Sequence, residues 1–398
     1  MPKSERFDAL DGLRGVAALV VVLHHGFLTS SAVADAFRSE SGEAPRWAQI
    51  ITYTPLHLVW AGSEAVLVFF VLSGFILTYQ RLRPKPEPWR AYYPKRIVRL
   101  YVPVVGAVLV SIAIVAMVGR DTSTHSWWVN AHETPSLPQF LQDSFLLAGI
   151  SDVNTALWSL EWEVWFSLLL PAFILGAIAT QRRGGLWIGL LLVFAARAVG
   201  SLISSPVLLF LPIFAVGALI AVHREYIGEL FGRYINSGIR TAVVATVACI
   251  ALIASWPMRL IPISDAIESA AKSGGILLGA GLLVVLALYS PGVRHLLCVR
   301  PIRWLGSRSF SLYLIHEPII VSAANILPES DNPILVTFAG LVVALAISEA
   351  FFRIVEQPSM DLSRRIGQAI RRRSEQRAAS GPHHLRQDDG KLIDRQPQ

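Results

Sequence analysis

Cysteine and charge are what this sequence has least of. Two of its 398 residues are cysteine, Cys249 in an apolar run and Cys298 in a basic loop. Neither a disulfide framework nor a thiolate metal site is supported by that count. Charged side chains make up 16% of the chain against 53% hydrophobic ones, too little charge to cover the surface of a soluble protein of this length. A cleavable leader is not expected either. Lys3 and Arg6 precede an apolar run, but no small-residue cleavage site follows, and the run carries Arg14, His24 and His25. It reads as a retained first helix. No internal repeat and no low-complexity block is present.

What the chain has instead is long apolar stretches separated by short basic clusters. Mean hydropathy is +0.51 and the isoelectric point about 9.6. Because the cations sit between apolar spans, they read as contacts to anionic lipid headgroups and as a topology signal, with no nucleic-acid partner implied. A bilayer core of about 30 Å needs roughly 20 apolar residues per helix. Stretches that meet this are 12–29, 57–80, 98–118, 155–179, 186–203, 206–222, 241–256, 273–290, 304–326 and 334–354. The expected fold is therefore all-α, a polytopic membrane bundle of about ten helices. With the N-terminus inside, the outer connections hold only Arg38, Arg46, Arg120, Arg259 and Lys272, while clusters such as Arg81–Arg83, Lys95–Arg96–Arg99 and Arg300–Arg303 fall on the other side. Both termini are then cytoplasmic. Residues 6–358 form the membrane domain. The tail 359–398, with Arg371, Arg372 and Arg373 in a row, has too little apolar content to fold alone and is expected to be disordered.

Ionisable residues inside spans are costly and point to function. In the first helix Arg14 and His25 are eleven residues apart, about three full turns, so both lie on one face roughly 16 Å apart. Asp11 is within about 40° of that face, and His24 points about 100° away. An imidazole at that depth can act as a general base or nucleophile; the structural alternative is an Arg14 that snorkels and a His25 paired with a neighbouring helix. In FFVLSGFILTY, Ser73-Gly74 reads more readily as a close-packing pair than as chemistry. Arg96 and Arg99, at i and i+3, put two guanidinium groups on one face, a phosphate cradle or an ordinary basic cap. In LWSLEWEVWF, Glu161 and Glu163 point about 200° apart and cannot share one cavity. GSRSFSLYLIHEP brings Tyr313 and His316 to i, i+3, and Glu349 and Glu356 close the last span.

Taken in order, LDGLRGVAALVVVLHH, FFVLSGFILTY, the Arg96–Arg99 pair, WSLEWEVWF, SRSFSLYLIHEP and VEQP resemble the membrane-bound acyltransferase family 3, the polysaccharide O-acyltransferases. The resemblance covers roughly residues 6–358. It implies a plasma- or inner-membrane enzyme that moves an acyl group, commonly acetyl, from cytoplasmic acyl-coenzyme A to a hydroxyl of a surface polysaccharide or its lipid-linked precursor. No bound cofactor or metal is implied. The family histidine falls on His25, its glutamate on Glu163, with Glu161 a departure, and its late tyrosine and histidine on Tyr313 and His316. His25 and Glu163 are thus the expected catalytic pair, Arg14, Arg96 and Arg99 the donor site, and Ser73, Tyr313 and His316 the substrate contacts. Some members carry a fused hydrolase-like domain, for which the tail is too short, so a stand-alone enzyme is expected. A small glycoside such as a macrolide sugar is an alternative acceptor. Acyl chain length is set by pocket shape, where one methylene is worth about 1–3 kcal/mol. The rival from another class is a proton-coupled transporter using His25, Glu163, His316 and Glu349 as a relay. The absence of a two-fold repeat of interrupted helices speaks against it.

Overall fold

Apolar runs of this length satisfy every backbone N–H and C=O within themselves only as helices, and helices are what forms. The computed structural model describes residues 3–38, 44–120, 126–132, 134–147, 149–327 and 333–379, with no strand among them. Eleven long helices organise it: α1 (Lys3–Phe27), α2 (Gly62–Arg81), α3 (Trp89–Val118), α4 (Trp158–Ala179), α5 (Gly185–Leu202), α6 (Pro206–Val222), α7 (Gly238–Leu252), α8 (Asp265–Tyr289), α9 (Arg300–Ile326), α10 (Pro333–Phe351) and α11 (Gln357–Ala379). Each of the ten expected stretches coincides with one of α1–α10. Among the described residues seven helices are long and apolar enough to cross a bilayer, and an eighth if α6 and the following Arg224–Tyr234 helix, bent by 78°, form one span. The chain is a multi-pass membrane protein. Helix α7 is only 15 residues long, and α9 carries a polar first half, so neither passes on length and composition alone.

Helix α1 lies between two apolar clusters. Its Leu10, Leu13, Ala17 and Val21 pack with α2, α4, α6 and α8. Its Ala18 and Val22 pack with α3, α9 and α10. Peripheral helices turn large apolar side chains outward, among them Trp187, Leu191, Val247 and Phe338, as a lipid-facing surface does.

Two glycine contacts set the inner geometry. A Cβ on Gly15 would come within 2.5 Å of the Gly306 backbone, and His25 meets His316 at the same sequence offset of 291. Helices α1 and α9 therefore run parallel and in register over three turns, close enough for their polar side chains to touch. Likewise a Cβ on Gly74 would lie 2.1 Å from the Phe214 carbonyl, and one on Gly217 would lie 2.0 Å from that of Val71. Gly74 is thus a packing residue at the α2–α6 crossing.

Two features depart from the sequence reading. The connections expected as outer loops contain short helices, Ser31–Arg38, Arg46–Tyr53, Trp127–Asn130 and Leu137–Phe145, and Trp128 of the third is buried against the bundle. The tail expected to be disordered from residue 359 is helical to Ala379. It continues α10 through a π-helical turn, Phe352–Glu356, and docks on α3, where Ser363 Oγ donates to the Lys95 carbonyl at 3.0 Å. Tertiary contact supplies what the composition of this segment lacks. Residues 380–398 lie outside those described.

Replacing Gly74 by Ala is expected to destabilise the protein by about 1–3 kcal/mol, because backbone rather than a side-chain tip occupies the space. Thermal unfolding in detergent should show this as a fall of several degrees in Tm.

Candidate active site

Of the two adjacent histidines on α1, only one faces the interior polar cluster. His24 donates from Nδ1 to the Trp60 carbonyl at 2.9 Å and is held among Phe37 and Trp60. His25, one residue on and about 100° around the helix, lies between Trp128 and His316, both rings nearly parallel to it at centroid distances of 5.1 and 4.9 Å.

The acceptors around this cluster assign its protons. His316 Nδ1 lies 2.7 Å from the Tyr313 carbonyl and 3.1 Å from that of Leu312. Carbonyls only accept, so Nδ1 carries the hydrogen and Nε2 of a neutral His316 is bare. The 2.7 Å contact between His25 Nδ1 and His316 Nε2 is then a hydrogen bond donated by His25. A neutral His25 in that tautomer has an unprotonated Nε2, free to take a proton. His25 keeps 12% of its side chain exposed, while His316 and Glu317 are fully buried. Within the cluster His25 is the reachable base.

Glu317 is the carboxylate of this cluster. One oxygen accepts from His132 Nε2 at 2.7 Å, Thr155 N at 2.7 Å and Thr155 Oγ1 at 2.6 Å; the other accepts from Ala156 N at 2.7 Å. The second oxygen stands 3.7 Å from His25 Nδ1, near enough to favour a positive charge on that ring. His132 Nδ1 lies 2.8 Å from the Trp128 carbonyl, so a His132 that donates at both nitrogens does so as the imidazolium, paired with Glu317. His25, His316 and Glu317 lie within 4.8 Å of one another, a spacing that could hold a metal ion. Two nitrogens on one tetrahedral zinc stand about 3.4 Å apart given Zn–N bonds of about 2.0–2.1 Å. The 2.7 Å separation here is that of a hydrogen bond, and four donors already occupy the carboxylate.

The remaining candidate residues line a chamber of about 120 Å3 nearer the α1 N-terminus, which includes Arg14, Ser73, Arg96, Arg99, Glu163 and Tyr313. Arg96 is bonded to Glu163 and donates to Ser167 Oγ at 2.9 Å, and Ser73 Oγ donates to Glu163 at 3.0 Å. Glu163 is thus committed to Arg96 and is not in contact with His25. Arg14 meets Asp11 at 3.6 Å. Arg99 has no ion pair or hydrogen bond among the described residues. The π-helical turn brings Glu356 into the chamber wall, where it accepts from Ser311 N at 3.2 Å. Tyr313 joins the two regions: its hydroxyl donates to the Ala156 carbonyl and accepts from Ser159 Oγ, both at 2.7 Å, and its ring stands 5.9 Å from that of His316.

The structure thus brings together Arg14, Ser73, Arg96, Arg99, Glu163 and Tyr313 in one chamber, and His25 with His316 beside it. Glu317, His132 and Thr155 went unrecognised in the sequence. For Glu317 a signal was there, an acid next to His316 inside a span. For His132 and Thr155, which lie in connections, nothing marked them out.

Residues 7–353 match the acyltransferase-domain family, and the chain belongs to it. Among curated proteins it is similar to the peptidoglycan O-acetyltransferase OatA of Listeria monocytogenes, 24% identical over 88% of this chain and 55% of that one. It is also similar to the putative peptidoglycan O-acetyltransferase YrhL of Bacillus subtilis, 25% identical over 78% and 52%. A third relative is the acyltransferase MdmB of Streptomyces mycarofaciens, 29% identical over 43% and 40%. The chain spans about half the length of the first two. No solved structure matches it.

Glu317→Ala is expected to orphan four donors, those of His132 and Ala156 fully buried and worth about 1–3 kcal/mol each, and to lower Tm far more than a chamber substitution such as Ser73→Ala. Parallel thermal unfolding of the two variants in detergent checks this.

Proposed function

We propose that this acyltransferase-domain chain is a membrane O-acyltransferase carrying an acyl group, acetyl in the first instance, from cytoplasmic acyl-coenzyme A to a hydroxyl of a cell-surface polysaccharide or its lipid-linked precursor. The bundle would cross the plasma membrane about ten times with both ends in the cytoplasm, as the basic clusters require. The carrying observation is the bare Nε2 of His25, held by its hydrogen bond to His316 beside the chamber that ends at Tyr313. Similarity to the peptidoglycan O-acetyltransferases OatA and YrhL supports a glycan acceptor.

In this reading the donor enters from the α1 N-terminal end, with Arg14 and Arg99 offered to its phosphates and its thioester arm extended along α1. The helical rise puts Arg14 about 16 Å from His25, so a flexible arm is what bridges them. The acceptor hydroxyl gives its proton to His25 Nε2 as its oxygen attacks the thioester carbon. The tetrahedral intermediate collapses with cleavage of the carbon–sulfur bond, and the imidazolium returns its proton to the leaving thiolate. Glu317 favours the transient charge on His25 from 3.7 Å. Glu163 then serves the donor side: it fixes Arg96 and Ser73 so that the chamber keeps its shape. His316 positions His25 instead of binding substrate.

The chain of His132, Glu317, His25 and His316 also suits a proton relay, which keeps a transporter as the second reading. The two part in one assay. Purified wild type, given radiolabelled acetyl-coenzyme A and cell-envelope acceptors without any ion gradient, should release coenzyme A and label the acceptor. His25→Ala should lose about 10²- to 10⁴-fold of that rate. An undiminished His25→Ala enzyme would refute the assignment of the base, and wild type inert towards thioesters would favour transport.

A further inference from the structure

A second cavity opens beside the chamber, and the donor reading above leaves it without a role. It is a groove of about 590 Å3 at the α1 N-terminal end, lined by Asp8 and Asp11 of α1 and by Arg300, Arg303, Trp304 and Arg308 of α9, within the size range of small-ligand sites. The two cavities adjoin: Asp11 of the groove pairs with Arg14 of the chamber at 3.6 Å, and Arg308 of the groove is followed on α9 by Ser309 of the chamber.

The chemistry of the lining is mixed in a specific way. Trp304 lines the groove and keeps 38% of its surface exposed, and the Arg308 guanidinium lies 5.4 Å from its ring centroid. Arg308 is anchored by Glu349 at 2.8 Å. Arg303 pairs with Asp8 at 3.4 Å, both groups well exposed. Arg300 is exposed and has no ion pair or hydrogen bond among the described residues. An indole face, guanidinium groups open to an anion and carboxylates able to accept from hydroxyl or amino groups are what a nucleoside phosphate needs together. A purely basic cap or an interfacial tryptophan anchor would not place them around one concavity.

We propose that this groove is the subsite for the adenine nucleotide end of the acyl donor, with Trp304 stacking on the base and Arg300 and Arg303 meeting the ribose phosphate. The proposal rests on the reading that the donor is a coenzyme A thioester. Along α1, Asp11 is about 21 Å from His25, so a nucleotide held here sends its arm past Arg14 and Arg99 toward the imidazole. The groove thereby supplies affinity through a part of the donor that does not react, and the chamber is left to position the thioester.

The test compares acetyl-coenzyme A, its 3′-dephospho form and acetyl-pantetheine as donors for wild type, Trp304→Ala and Arg303→Ala. Wild type should prefer the full donor over acetyl-pantetheine by about tenfold or more in kcat/KM. That preference should fall about tenfold in Trp304→Ala through KM, the size of one lost base-stacking contact. Arg303→Ala should lose chiefly the distinction between the 3′-phosphorylated and dephosphorylated donors. Turnover of acetyl-pantetheine reports that a variant is folded. With wild type alone, adenosine 3′,5′-bisphosphate should inhibit competitively against acetyl-coenzyme A. Equal use of full and truncated donors with no such inhibition, or variants that keep the wild-type preference, would overturn the subsite and leave the donor reading standing. No turnover of any coenzyme A thioester with acceptor present would overturn the donor reading and the subsite with it.

Discussion

A fully buried carboxylate inside a membrane protein persists only where the protein itself supplies every donor, because no water is at hand to do so. Glu317 meets that condition with four donors from His132, Thr155 and Ala156. All four come from the connection between α3 and α4, so one side chain of α9 ties that connection to the bundle interior. The same requirement reaches His25: Glu317 approaches it, and His316, the preceding residue, accepts its proton. A site that binds a base this tightly on one nitrogen leaves the other as its only free function.

The bond between His25 and His316 depends in turn on backbone distance. Two side chains of this length can share a proton only where their helices approach closely, and Gly15 against Gly306 provides that approach ten residues earlier at the same offset. Small residues in such a place serve chemistry indirectly, by fixing the distance at which polar groups meet. Gly74 and Gly217 do the same for α2 and α6, and Ser73, next to Gly74, is thereby carried to Glu163.

How much of this the sequence disclosed follows from what periodicity can and cannot report. Helix phase placed Arg14 and His25 on one face and set Glu161 apart from Glu163, and only the latter lines the chamber. Apolar runs located all ten stretches. Pairing across the chain is a different matter: Glu317 and His132 are 185 residues apart, and nothing in a one-dimensional pattern couples them. Glu356 was visible as an acid at the end of a span, but its direction depends on a π-helical turn that shifts the side-chain phase away from the regular one. The helical continuation to Ala379 was hidden for a related reason, since its stability comes from docking on α3 and not from its own composition.

The carboxylates explain how three arginines in one chamber can differ. Glu163 engages Arg96 and Asp11 stands near Arg14, while Arg99 is left unpaired among the described residues. Neutralising all three would leave an anionic ligand nothing to gain, and leaving all three free would set like charges against one another in a confined space. Pairing one cation firmly, one loosely and one not at all limits repulsion within the chamber and leaves one guanidinium with its charge unmet. The free cation sits on α3 one helical turn beyond the paired one. An anion at Arg99 would therefore lie alongside a guanidinium whose position Glu163 has already fixed, and the carboxylate expected from the sequence to be catalytic is itself held there by Arg96 and Ser73.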